Sequence, residues 1–215
     1  MPATAICLGA VGAGKTRLLT QLQLLQQSSD STNSEDEKEP LPTVGINHFD
    51  IKQPKTQEND KCFSLFFPSN CFRRRQENSD NSHKLSIREF GGALQAAWLT
   101  YLKGSLTEDL KGVIYVIDAS ASARFSEAGV HLIDVINSLE RSRLPIRVLI
   151  VFSKVDLVEE SCKDRILTEA RTLLRLDHLS KWCKFCTFEQ KEYSAVVEED
   201  FRLSDILNWC QSLLI

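Results

Sequence analysis

The sequence predicts an α/β domain: a mostly parallel sheet of about six strands flanked by about five helices. Near-continuous Val/Ile/Leu runs, as at 112–117 and 147–152, have the composition of strands buried on both faces. These runs alternate with helical segments, the rhythm of a parallel sheet covered on both sides. A glycine-rich turn between the first strand and the first helix marks the end of the sheet where ligands sit. The 215 residues suffice for a single domain, 1–215, with a full core.

Residues 3–8 form a short apolar run ending in glycine, a buried strand. Arg17 to Gln27 carries Leu18, Leu19, Leu22 and Leu25 at helical spacing. Residues 28–41 hold five acids against Lys38 and read as a flexible acidic loop. His48–Ile51 and Lys84–Phe90 have strand character. Between them an insertion at about 52–82 sets Phe63, Phe66, Phe67 and Phe72 beside Arg73-Arg74-Arg75 within polar flanks, a composition suited to local packing or to peripheral contact with an acidic membrane or partner. Gln95–Lys103 predicts a helix, and 112–117, ending at Asp118, a strand. Phe125–Arg141 is an amphipathic helix, Arg147–Phe152 a strand and Glu160–Arg175 a helix. Phe188–Tyr193 is a weaker strand, and Leu203–Leu213 a closing helix.

Composition narrows the function. A net charge of −3 excludes a general nucleic-acid binder, which carries a basic balance. No apolar run reaches the roughly 18 residues that span a bilayer, and the N-terminus lacks the pattern of a secretory signal. Pro2 occupies the position where N-myristoylation requires glycine. Seven scattered cysteines read as reduced thiols of a cytoplasmic protein. Cys183 and Cys186 form a Cys-x-x-Cys pair without the second pair a zinc site wants, and read as two partly buried thiols.

Gly9-Ala10-Val11-Gly12-Ala13-Gly14-Lys15-Thr16 fits Gly-x-x-x-x-Gly-Lys-Ser/Thr between a strand and a helix. The glycines let successive N–H groups turn toward phosphate oxygens, and the helix N-terminus adds partial positive charge. In this motif Lys15 reaches the β and γ phosphates and the Thr16 hydroxyl coordinates Mg²⁺. Ser153-Lys154-Val155-Asp156 directly follows a strand, and Ser194-Ala195 follows the next. Guanine-specific proteins carry Asn-Lys-x-Asp at such a place. The Asp156 carboxylate accepts two N–H groups of guanine, the Lys154 stem covers the base, and Ser194-Ala195 offers a backbone N–H to the base oxygen. A P-loop ATPase or small-molecule kinase predicts adenine preference instead, which Asp156 disfavours.

The ordered motifs resemble those of small GTPases of the Ras superfamily, in the ADP-ribosylation-factor-like branch. Pro42-Thr43-Val44-Gly45 resembles its first switch, and Ser86 to Gly92, with the double glycine, its second; Trp98 and Tyr101 resemble aromatics that follow. The resemblance covers nearly the whole chain except 28–41 and about 52–82. It implies a Ras-like P-loop fold, GTP or GDP with Mg²⁺, and a monomer that meets effector and regulatory proteins of membrane or ciliary traffic. Thr16, Thr43 and Glu89 then form the metal set, with Gly92 at the γ phosphate. Three departures bear on activity. Glu89 replaces an Asp and keeps the charge for an outer-sphere Mg²⁺ contact with one methylene more. Ala93 replaces the glutamine that orients the attacking water, with Gln95 two residues late, so intrinsic hydrolysis should be slow. Ser153 replaces Asn and should lose part of the link between base loop and phosphate loop, worth roughly 0.5–1.5 kcal/mol. The family's N-terminal amphipathic helix has no counterpart before the first strand. These departures keep open a scaffold that holds GTP constitutively or weakly without turnover.

Overall fold

The computed structural model describes residues 3–27, 43–53, 84–195 and 201–214. The acidic loop 28–41, Pro42 and the insertion beyond Gln53 lie outside the described residues. Six strands form one sheet in the order β2-β3-β1-β4-β5-β6: β1 (Ala3–Gly9), β2 (Ile46–Lys52), β3 (Lys84–Phe90), β4 (Leu110–Asp118), β5 (Ile146–Ser153) and β6 (Cys186–Glu192). All neighbours are parallel except β2, which runs antiparallel to β3 at the sheet edge. Strand order reverses across β1, so ligand chemistry gathers beyond the carboxyl ends of β1, β4 and β5.

Alternation along the strands divides the core between two faces. Ile6, Leu8, Val113, Tyr115, Val148 and Ile150 face one layer of helices. Ala5, Cys7, Ile114, Val116, Leu149 and Val151 face the other. The first face is covered by α2 (Trp98–Ser105), α3 (Phe125–Ser142), α4 (Glu160–Leu173) and α5 (Leu176–Trp182). The second is covered by α1 (Lys15–Gln27), through Leu18, Leu19 and Leu22, and by α6 (Phe201–Ser212), through Ile206, Trp209 and Cys210.

Two elements differ from expectation. The helix predicted over Gln95–Lys103 begins as a 3₁₀ segment, Gly92–Ala97, and becomes α-helical at Trp98. The helix predicted to run to Arg175 ends at Leu173, and a sixth helix, α5, follows it. Arg175 adopts the left-handed conformation (φ 54°), which breaks the chain direction between them.

Candidate nucleotide site

β1 delivers the chain at Gly9 to a turn that opens into α1. Gly14 holds φ +85°, a conformation open to glycine without strain, and α1 starts on the next residue. Ala13 is buried, whereas Val11 at the crest is half exposed. Lys15 is 95% buried by relative exposure of 5%, and its Nζ donates to Gly9 O at 2.8 Å and Ala10 O at 3.0 Å. Burial lowers its pKa from the ordinary lysine value, opposed by the neighbouring Cys7 and Glu89. Cys7, buried beneath the loop, is pushed up by that burial and is not a nucleophile at neutral pH.

The three residues expected to hold a metal come together. Thr16 Oγ1 donates to Glu89 Oε1 at 2.6 Å, and Thr43 Oγ1 lies 3.1 Å from Thr16 Oγ1 and 3.3 Å from the same carboxylate oxygen. Two hydroxyls and a carboxylate make an all-oxygen set, which suits a hard dication such as Mg²⁺ and not zinc. Glu89 is 1% exposed, held there because β3 is sandwiched between β1 and β2.

Asn47 completes this cluster and was not foreseen. Its Nδ2 reaches Glu89 Oε2 at 3.2 Å and Thr43 Oγ1 at 3.3 Å. An amide NH₂ has two protons, so it can serve both at once. The antiparallel register sets Asn47 opposite Glu89. Only that register reveals the pairing; nothing local to Asn47 signals it.

The Gly91-Gly92 turn packs against both loops. Gly91 N–H donates to Gly45 O at 2.9 Å, and its own carbonyl accepts from Trp98 Nε1 at 3.3 Å. A Cβ at Gly92 would lie 2.2 Å from Val11 N, and one at Gly91 2.3 Å from Thr43 O. Only glycines permit the turn to approach both segments this closely. Ala93 is exposed, whereas Gln95 lines a small cavity of about 30 Å³ with Ala10, Val11 and Asp118. Tyr101 packs on Phe90 with the rings tilted by 42° and their centroids 5.7 Å apart.

Beyond β5, Lys154 takes the left-handed conformation (φ 57°) and its Nζ pairs with Asp118 Oδ2 at 2.7 Å. Asp118 also accepts from the Ser120 hydroxyl at 2.6 Å. It ends the apolar run of β4, the one signal that could have singled it out. Asp156 is exposed in the short 3₁₀ turn Val155–Leu157. Ser194 is buried; Ala195 O accepts from Gln21 Nε2 at 3.3 Å, and Gln21 Oε1 accepts from Tyr193 OH at 2.5 Å. Helix α1 therefore braces the Ser194-Ala195 segment as well as the phosphate loop.

Ser153 reaches the phosphate loop despite its short side chain. Its hydroxyl, fully buried, lies 2.7 Å from Ala13 O and 3.0 Å from Ile117 O. The link between the segment after β5 and the phosphate loop is therefore made by a serine.

Cys183 is partly exposed and Cys186 buried. Burial, then the neighbouring Glu140 carboxylate, pushes the Cys183 thiol up to about 11 and Cys186 higher still. Among the described residues no group of three His, Cys, Asp or Glu side chains is disposed to hold a metal ion.

A model of the ADP-ribosylation factor family matches residues 2–209. Human ADP-ribosylation factor-like protein 16 is 27% identical over 208 residues, spanning 96% of this chain and 84% of that protein. A solved structure described as "The Structure of the Mammalian SRP Receptor" shares the fold, with a TM-score of 0.58 at 14% identity over 98% of this chain and 99% of that one. With a phosphate loop, two switch-like segments and a base-loop triplet at one end of a six-stranded sheet, the chain belongs to the ADP-ribosylation factor family.

Proposed function

We propose that this chain is a guanine-nucleotide-binding switch that takes GTP or GDP with Mg²⁺. The observation that carries the reading is the convergence of Thr16, Thr43 and Glu89 within 2.6–3.3 Å beside the loop Gly9–Thr16. Thr43 belongs to a segment remote in sequence, so a metal held there couples the phosphate loop to the first switch. Mg²⁺ supplies charge neutralisation of the phosphates; Thr16 and Thr43 hold it, and Glu89 orients them. Gly92 closes on the γ phosphate with Thr43, and loss of that phosphate releases both segments. Asp156 selects guanine, with Lys154 over the base and Ser194-Ala195 at its oxygen.

Released nucleotide from the denatured protein, identified by chromatography, tests this directly. Guanine nucleotide is expected. GTP with Mg²⁺ at about a thousand times its Kd should stabilise the fold by roughly 4 kcal/mol. Adenine nucleotide in the site, or no stabilisation by GTP, overturns the reading. Asp156→Asn replaces an acceptor with a mixed group and should abolish GTP binding; unchanged binding excludes the base assignment.

A second reading rests on Ala93, an exposed methyl where family members have glutamine. On it the chain is a scaffold that binds GTP constitutively or weakly and does not turn it over. Single-turnover hydrolysis decides: a rate matching glutamine-bearing relatives sinks the scaffold. In either reading effectors are proteins of membrane or ciliary traffic, and the chain acts as a cytoplasmic monomer. No helix among the described residues is long and apolar enough to cross a membrane.

A further inference from the structure

The pole of the sheet opposite the nucleotide site carries a surface that the switch reading leaves unused. Segments 140–145 and 181–185 precede β5 and β6, and together they hold Arg141, Arg143, Lys181 and Lys184 against one carboxylate, Glu140. In a chain of net charge −3 this is a marked local excess of positive charge. All four cations are exposed. Two aromatics stand among them: Trp182, 51% exposed, and Phe185, 37% exposed.

The two segments form one rigid platform. Glu140 accepts backbone N–H bonds from Lys184 at 3.1 Å, Phe185 at 2.9 Å and Cys186 at 2.8 Å. Ile146 N–H donates to Phe185 O at 3.1 Å, and Cys183 N–H caps α5 on Leu179 O at 3.0 Å. The one acid within these two segments is thereby spent on the backbone and does not neutralise their cations; Glu108 and Asp109 precede β4 at the same pole. The loop's conformation is fixed before any partner arrives, so its aromatics are presented at little ordering cost.

We propose that this face docks on an anionic lipid bilayer, with Trp182 and Phe185 at the headgroup level and the four cations against acidic lipid. Charge complementarity selects an anionic partner. The Lys-Trp-Cys-Lys-Phe order alternates the amphipathic Trp182 and the apolar Phe185 with long snorkelling side chains, a combination that suits the membrane–water interface. From Ile146 to Ser153, β5 rises about 23 Å, so a chain docked by this pole holds its switch segments away from the bilayer and open to partners.

Tryptophan emission gives a specific readout, because Trp98 and Trp209 are 2% and 4% exposed and Trp182 alone of the three is open to solvent. The full chain is mixed with phosphatidylcholine vesicles, with and without phosphatidylserine, and followed by co-sedimentation and emission wavelength. Binding to the serine-containing vesicles with a blue shift is expected, weakened by high salt. Trp182→Phe should bind and lose the shift; Lys181→Glu/Lys184→Glu should bind at least about 25-fold more weakly, at about fivefold for each of the two cations removed. Circular dichroism and nucleotide content confirm that each variant is folded. Failure to bind, equal binding to neutral vesicles, binding without a Trp182 shift, or full binding by the lysine variant overturns the proposal. So does capture of an acidic protein by this face in a chain that ignores vesicles.

Discussion

Ser153→Ala isolates the bond that ties the segment after β5 to the phosphate loop. The hydroxyl is fully buried between Ala13 O at 2.7 Å and Ile117 O at 3.0 Å, and its one proton can serve one of them at a time. A single hydrogen bond is worth about 0.5–1.5 kcal/mol net, and a buried acceptor left bare raises the loss to about 1–3 kcal/mol. We take about 1.5 kcal/mol, since the deleted oxygen is small and each carbonyl keeps a second lone pair. For a domain of this size that lowers the melting temperature by about 3–6 °C. Because the bond holds Ala13 within the loop that faces the phosphates, part of the loss should appear as faster nucleotide dissociation, up to about tenfold. Thermal melts by circular dichroism and release of a fluorescent guanine nucleotide provide the two readings. A variant with the wild-type melting temperature and release rate would refute the idea that serine here performs the linking role.

Four further outcomes follow from the geometry. Gly92→Ala places a Cβ 2.2 Å from Val11 N and 2.5 Å from Ala10 C, backbone atoms that cannot step aside; overpacking of about 1–3 kcal/mol should cut GTP affinity more than GDP affinity, measured by competition binding. Asn47→Ala removes both bonds that steady Thr43 against Glu89, and with the site partly exposed should weaken Mg²⁺-dependent GTP binding by about 1 kcal/mol, read by titration with and without metal. Partial burial pushes the Glu140 carboxyl up, but its three backbone N–H donors outweigh this and hold it below the usual carboxylate range. That stabilisation is present above the unfolded value of about 4.3 and lost as pH falls through the lower folded value, so the gap in melting temperature between wild type and Glu140→Gln should close in acid. Lys15, lowered by burial, sheds its proton in the free protein before an ordinary lysine at about 10.4, so phosphate affinity should begin to fall at an alkaline pH below that value.

Much of the fold was legible because its central strands are buried on both faces and its helices are amphipathic. β4 and β5 read as apolar runs, and α3 as an amphipathic helix through Val130, Ile133, Val135 and Leu139, of which Val135 and Leu139 are buried beside Leu132 and Ile136 while Val130 is exposed. α5 escaped because a seven-residue helix with two buried positions, Leu176 and Leu179, has too little period to declare itself. The 3₁₀ segment Gly92–Ala97 escaped because three and 3.6 residues per turn hardly differ over six residues. In the site, the phosphate loop was legible because its parts are contiguous. Ser153 and Ala13 are 140 residues apart, and Asn47 meets Glu89 only through strand register. Such long-range pairs are products of topology, and a motif scan sees residue types without their distances.

The carbonyls of Gly9 and Ala10 take two of the three protons of the Lys15 ammonium, at 2.8 and 3.0 Å. A phosphate can accept the third proton directly, and must displace a carbonyl only to take a second. Each such displacement conserves the number of hydrogen bonds to the ammonium, and its net gain comes from replacing a neutral acceptor with a charged one. Affinity therefore scales with how much negative charge the ligand brings to one spot, and a dephosphorylated nucleoside, with none to offer, has nothing with which to displace the loop's own oxygens.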